Sequence, residues 1–204
     1  MFPVAFIVSF ETSIRSAQVL AGTLTMYIFL NTFIGSAQNT AFLRYSGGMS
    51  LIYVTKTPRW MVTLSYVTFQ LAATVPMAVV LVLLGESLVP IHISWPPLIC
   101  TFALGSAYSF LLGTAMGLTT SVRTANQLSQ VLGWTFAFFA PTFVSIYSLP
   151  VPLRLLSLVE PTTAIAQELV SNLEGRTSLI YILLMLVYFL VSFIMYRIAE
   201  GKVS

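Results

Sequence analysis

The sequence predicts an all-α integral membrane protein. Of its 204 residues 57% are hydrophobic and 7% charged, with mean hydropathy +0.92, whereas soluble domains carry about 25% charged residues. So little polar surface cannot cover a water-soluble particle of this size. Asp, Glu, Lys and Arg are absent from five windows, 16–43, 60–85, 87–122, 124–153 and 177–196. Each is at least as long as the roughly 20 residues a helix needs to cross about 30 Å of hydrocarbon. The windows also lack the apolar/polar alternation of barrel strands, which leaves helices as the elements that satisfy their own backbone in lipid.

In chain order, the first ten residues, MFPVAFIVSF, are apolar but only about half a span long. No cation precedes them and no A-x-A site follows, so a signal peptide fits poorly. They are expected to form an N-terminal stub, the outer end of a preceding helix. Five full spans are expected at about 17–38, 60–84, 97–121, 127–148 and 178–197, forming a single transmembrane domain over 1–204. Pro76 in the second and Pro141 in the fourth each remove a helical hydrogen bond and are expected to kink or interrupt their helices. In the third, Gly105, Ser109, Gly113, Gly117 and Ser121 recur every four residues. Such a strip lets a second helix approach closely, and an intramolecular seam is expected in preference to a dimer interface.

Residues 149–177 break the pattern, punctuated by Pro150, Pro152 and Pro161 and carrying Arg154, Glu160, Glu168, Glu174 and Arg176. Two short helices fit, about 152–159 and 162–174, the second with Ile165, Leu169 and Leu173 on one face and Gly175 as its stop. This amphipathic helical hairpin is expected at the outer membrane surface or dipping partway in.

Charge sets the topology. Loop 39–59, the turn at Arg123 and the tail after 196 together hold six cations, Arg44, Lys56, Arg59, Arg123, Arg197 and Lys202. The opposite side holds three, Arg15, Arg154 and Arg176. Basic loops stay cytoplasmic, so the N-terminus of this chain is expected outside and the C-terminus inside. The formal charge of +3 comes from cations dispersed among loops, which suits topology and anionic headgroups better than a nucleic acid.

Missing motifs exclude several chemistries. No G-x-x-x-x-G-K-[ST] is present to cradle ATP phosphates, and no H-E-x-x-H or Cys/His cluster to hold a metal. No ionisable residue stands near the middle of a span, against proton relays and intramembrane acid proteases. His92 has no orienting partner in sequence and reads as interfacial. Cys100, the one cysteine, reads as a small packed side chain. Asn31, Gln70, Asn126, Gln127 and Gln130 are uncharged polar residues in or near spans, suited to interhelical hydrogen bonds or to substrate contact. The aromatics Trp134, Phe136, Phe138, Phe139 and Phe143 could face lipid, a partner or an apolar substrate.

The order of parts resembles the permease subunit of ABC-2 type transporters over nearly the whole chain. The likeness lies in Gly48 followed by Thr57-Pro58 in the basic loop, and in Gly113 to Gly117 followed by Arg123, Asn126 and Ser129. It continues in Pro141, Leu149-Pro150 and Pro161-Thr162 before the last span. Met49 and Ser50 stand where the family commonly has an acid. The resemblance implies an exporter half that moves an amphiphilic drug, lipid or glycan. It would pair with a second permease copy or homologue and with two copies of an ATPase subunit. No cofactor would be bound by this chain, since ATP and Mg2+ would sit on the ATPase, and the chain itself would not be an enzyme. Loop 39–59 would be the coupling loop, with Arg44, Gly47, Gly48, Met49, Leu51, Ile52, Lys56 and Pro58 docking on the ATPase. Asn31, Gln127, Gln130 and Phe138 are candidates for the translocation path, and the plasma membrane is the expected location. A membrane scaffold that keeps a permease-like fold without transport is the alternative.

Overall fold

A computed structural model describes residues 13–54, 59–88, 92–143 and 146–202. The N-terminal stub at 1–10, Lys56 and Pro58 lie outside the described residues. Within them every regular element is helical: α1 Ser13–Tyr45, α2 Gly48–Val54, α3 Arg59–Leu88, α4 Trp95–Thr119 and α5 Val122–Phe139 come first. A 3-10 turn Ile146–Ser148, α6 Val151–Ser157, α7 Pro161–Leu173 and α8 Leu179–Gly201 follow.

Four described helices are long and apolar enough to cross a membrane: Ala17–Tyr45, Ser65–Ser87, Trp95–Thr119 and Leu179–Gly201. These support a multi-pass membrane protein. The helix expected at 127–148 differs. It runs from Val122 to Phe139 and stops, because Pro141 has no N–H to continue the ladder and disfavours helix at Ala140 before it. At 18 residues α5 is not among the apolar helices of spanning length. Pro76, by contrast, sits inside a continuous α3. The loop expected at 39–59 is also largely helical, since α1 continues to Tyr45 and α2 begins at Gly48.

The bundle is organised around α1, which packs against α4 most extensively and also against α5, α7 and α3. The spanning parts of α1 and α4 are mostly buried, whereas those of α3 and α8 are mostly exposed. Phe29 and Phe33 stack on α1 with ring centroids 5.2 Å apart, and Phe136 meets Phe29 edge-on at 5.9 Å.

The close approach of α1 to α4 follows from the small-residue strip. A Cβ at Gly113 would strike the Phe33 carbonyl and the Ser36 hydroxyl, and one at Gly117 the Ala37 carbonyl and Thr40. Gly105 faces Ile165 of α7, and Ser109 is buried, donating to the Gly105 carbonyl at 2.6 Å. The strip is therefore an intramolecular seam over these positions. Ser121 departs from it: it lies beyond α4 and caps α5, its hydroxyl accepting from Thr124 N–H at 3.2 Å.

The largest departure is the hairpin. Its helices form close to the expected positions, but α7 packs inside the bundle instead of on its surface, running beside α4 as a segment dipping partway in would. Most of its side chains are buried, among α1, α4, α5 and α8. Ile165, Leu169 and Leu173 face the core as the sequence pattern implies, and the polar side of the helix meets other protein groups instead of water. The Tyr108 hydroxyl donates to the Pro161 carbonyl at 2.6 Å. Since Tyr108 is thirteen residues into α4, the start of α7 lies roughly 20 Å from the start of α4 along its axis. α7 ends in a Schellman turn: Gly175, at φ 73°, donates to the Asn172 carbonyl at 3.2 Å and Arg176 to the Ser171 carbonyl at 2.8 Å.

Candidate functional site

Three groups of side chains have chemistry beyond packing. The first is at the end of the bundle where α1, α4 and α8 carry their C-termini. Gly47 adopts φ 77°, a backbone conformation that a Cβ would strain, and turns the chain from α1 into α2. Gly48 sits against Leu43, 3.1 Å from where its Cβ would be. The Arg44 guanidinium donates to the Thr120 carbonyl at 2.7 Å, satisfying an acceptor left over at the end of α4. Met49 is partly buried against the cluster of Ala115, Leu118 and Ala199. Leu51 and Ile52 belong to α2. Among the described side chains of this turn, Phe42, Tyr45 and Val54 are large and exposed, 59%, 82% and 79%. The sequence reading missed these three; the signal was their position flanking the glycine turn on two consecutive helices.

The second group is a polar face on α5. Ala125, Ser129 and Gly133 turn inward, Gly133 lying against Leu30 and Ile34 of α1. Asn126, Gln127, Gln130, Trp134 and Thr135 are exposed together with Leu128 and Val131, as is Asn31 on the neighbouring α1. Asn31 donates to the Thr74 hydroxyl at 3.4 Å, and its carbonyl accepts from Gln70 at 3.3 Å, so α1 and α3 are tied by amides. The structure thus leaves Asn31, Gln127 and Gln130 outward-facing; Phe138 lies in the last turn of α5.

The third group, which the sequence did not reveal, surrounds α7. Thr162 donates to the Phe136 carbonyl at 2.7 Å and Gln167 to the Pro141 carbonyl at 2.9 Å. Side chains of α7 thereby bond carbonyls at the end of α5 and just beyond it, the Phe136 carbonyl also accepting from Ala140 N–H at 3.3 Å. Asn172 donates to the Thr101 hydroxyl at 2.9 Å, and that hydroxyl gives its own proton to the Pro97 carbonyl at 2.9 Å. With one proton only, Thr101 must accept from Asn172, which fixes the amide and leaves Asn172 Oδ1 without a partner among the described residues. One turn away, Glu168 Oε2 accepts from Ser178 N–H at 3.1 Å, while Oε1 has no described partner. Burial pushes the Glu168 carboxyl up to about 7, the Ser178 hydrogen bond opposing part of the shift. Burial likewise raises Glu160, before α7, to about 7. Tyr181 on α8 and Arg154 on α6 belong to the same neighbourhood, the latter stacked 5.3 Å from the Tyr147 ring.

No protein-family model matches the chain, and no curated protein does. Among the described residues no group of three or more His, Cys, Asp or Glu side chains could hold a metal. His92 is exposed. Cys100 is exposed too, not packed within the bundle as the sequence reading had it.

Proposed function

We propose that the chain is one membrane-spanning half of an ABC-2 type exporter, moving an amphiphilic drug, lipid or glycan with energy from ATP bound to a separate subunit. The observation that favours this is the polar face of α5. Asn126, Gln127 and Gln130 are exposed on a bundle whose α3 and α8 surfaces are apolar. In hydrocarbon each unsatisfied amide costs several kcal/mol, so such a face belongs against a second copy or a water-lined path. Together with Asn31, it forms the surface across which two halves would meet and substrate would pass. The α1–α2 turn, with exposed Phe42, Tyr45 and Val54, lies at the basic end and is the proposed docking point for the ATPase, on the cytoplasmic side of the cell membrane.

Co-expression with the ATPase encoded beside it tests this reading. A stable complex with two copies of each chain, and ATP hydrolysis stimulated by an amphiphilic substrate, is the expected result. Recovery of the chain alone under gentle detergent, at unchanged yield, would leave a non-transporting scaffold as the better description.

A further inference from the structure

We propose that a groove between α5 and α8 at the basic end holds one acyl chain of an anionic phospholipid, with its headgroup at Lys202. The groove has a volume of about 480 Å³ and is lined by Phe33 of α1, Met116 of α4, Leu132 and Phe136 of α5, and Met195 and Ile198 of α8. Thr119 and Lys202 are the polar residues at its open end. From Met195 to Lys202 the chain advances seven residues, roughly 10 Å. The lining is apolar along its length with a cation at one end, the pattern of a lipid's chain and headgroup. A single flexible chain fits. Water is unsuited to so apolar a lining, and an empty groove forfeits dispersion contacts.

Charge selects the headgroup. Glu200, two residues before Lys202, pairs with Arg197 at 3.2 Å and accepts from the Tyr196 hydroxyl at 3.3 Å. Arg44, which donates to the Thr120 carbonyl, is not among the residues that line the groove. Lys202 is exposed at the groove's end, where a phosphate between headgroup and glycerol would lie. A second groove of about 380 Å³ between α3 and α4 has Trp95 and apolar side chains but no cation, so it can take a chain without choosing a headgroup. The inference requires a membrane setting and is independent of transport.

Electron paramagnetic resonance on the full chain in nanodiscs tests it, using chain-labelled phosphatidylglycerol and phosphatidylcholine as probes. The wild type is expected to immobilise phosphatidylglycerol roughly fivefold more strongly, as one lysine near one phosphate would give. Lys202→Glu, altering one exposed side chain, should abolish that preference while keeping an immobilised population. Ile198→Trp, on the exposed rim, should reduce the immobilised phosphatidylglycerol to the level of phosphatidylcholine by filling the groove. Equal immobilisation of the two lipids by the wild type would overturn the proposal. So would a preference that survives Lys202→Glu, or an immobilised phosphatidylglycerol signal unchanged by Ile198→Trp.

Discussion

Single atoms decide how α7 can be buried. Glu168 presents one carboxylate oxygen to Ser178 N–H and another to no described partner, and an unpaired buried charge is costly. Its folded-state value of about 7 stands above the ordinary 4.5, so between those values the folded chain binds more protons than the unfolded one. Stability is therefore fully present below about 4.5 and declines as pH rises to about 7. Glu160 contributes with the same sign. Thermal unfolding in detergent from pH 5 to 8 should show a falling melting temperature, and Glu168→Gln should flatten but not remove the slope. An unaltered slope in that variant would contradict the assignment. At Gly117 a side chain would meet the α1 backbone, which cannot yield as a side chain can. Gly117→Leu is expected to cost about 3 kcal/mol or more through overpacking, read as loss of monodisperse protein in size-exclusion chromatography.

At the scale of elements, α2 separates two roles that one basic loop seemed to combine. Met49 packs on α4 and α8, so Met49→Asp should destabilise the bundle itself. Val54, 79% exposed, makes no such demand, and Val54→Asp should leave the melting temperature within about 1 °C of wild type, the usual outcome for a surface substitution. Under the proposed function it should still weaken ATPase capture. Equal ATPase binding by wild type and Val54→Asp would remove α2 from the docking surface. The hairpin shows the converse relation, one element tied to another: Pro141 ends α5, and Thr162 and Gln167 from α7 donate to the Phe136 and Pro141 carbonyls there.

For the whole molecule, the exposed faces divide by polarity. α3 and α8 present apolar side chains such as Val80, Leu83, Val187 and Leu190, suited to lipid. The α5 face adds the amides Asn126, Gln127 and Gln130 to the apolar Leu128, Val131 and Trp134. With Cys100 replaced by alanine, Gln130→Cys is expected to form a cross-link between two copies in native membranes, whereas Leu190→Cys on the apolar α8 face should not. Cross-linking equally efficient at both positions would indicate random collision instead of a specific pair.

The hydrophobic windows determined by themselves that the chain is helical and membrane-embedded, since backbone groups in lipid must be satisfied within a segment wherever that segment packs. Local chemistry also determined the glycine turn at Gly47, the stop at Gly175 and the small-residue seam. These depend on backbone conformation or on the absence of a Cβ. What only tertiary structure decided is where amphipathic elements go. The pattern Ile165, Leu169, Leu173 gives α7 an apolar face and a polar one, which an aqueous interface and a buried polar network satisfy equally well. The interior won because the broken end of α5 offers carbonyls to Thr162 and Gln167, and α4 offers Thr101 to Asn172. Those partners lie 26 to 71 residues away in sequence, beyond the reach of any local pattern. For the same reason Pro76 and Pro141 read alike in sequence and end differently. Pro76 stays within a continuous α3 and Pro141 terminates α5, because a proline removes the same donor in both but only the surrounding bundle decides whether the helix continues past it.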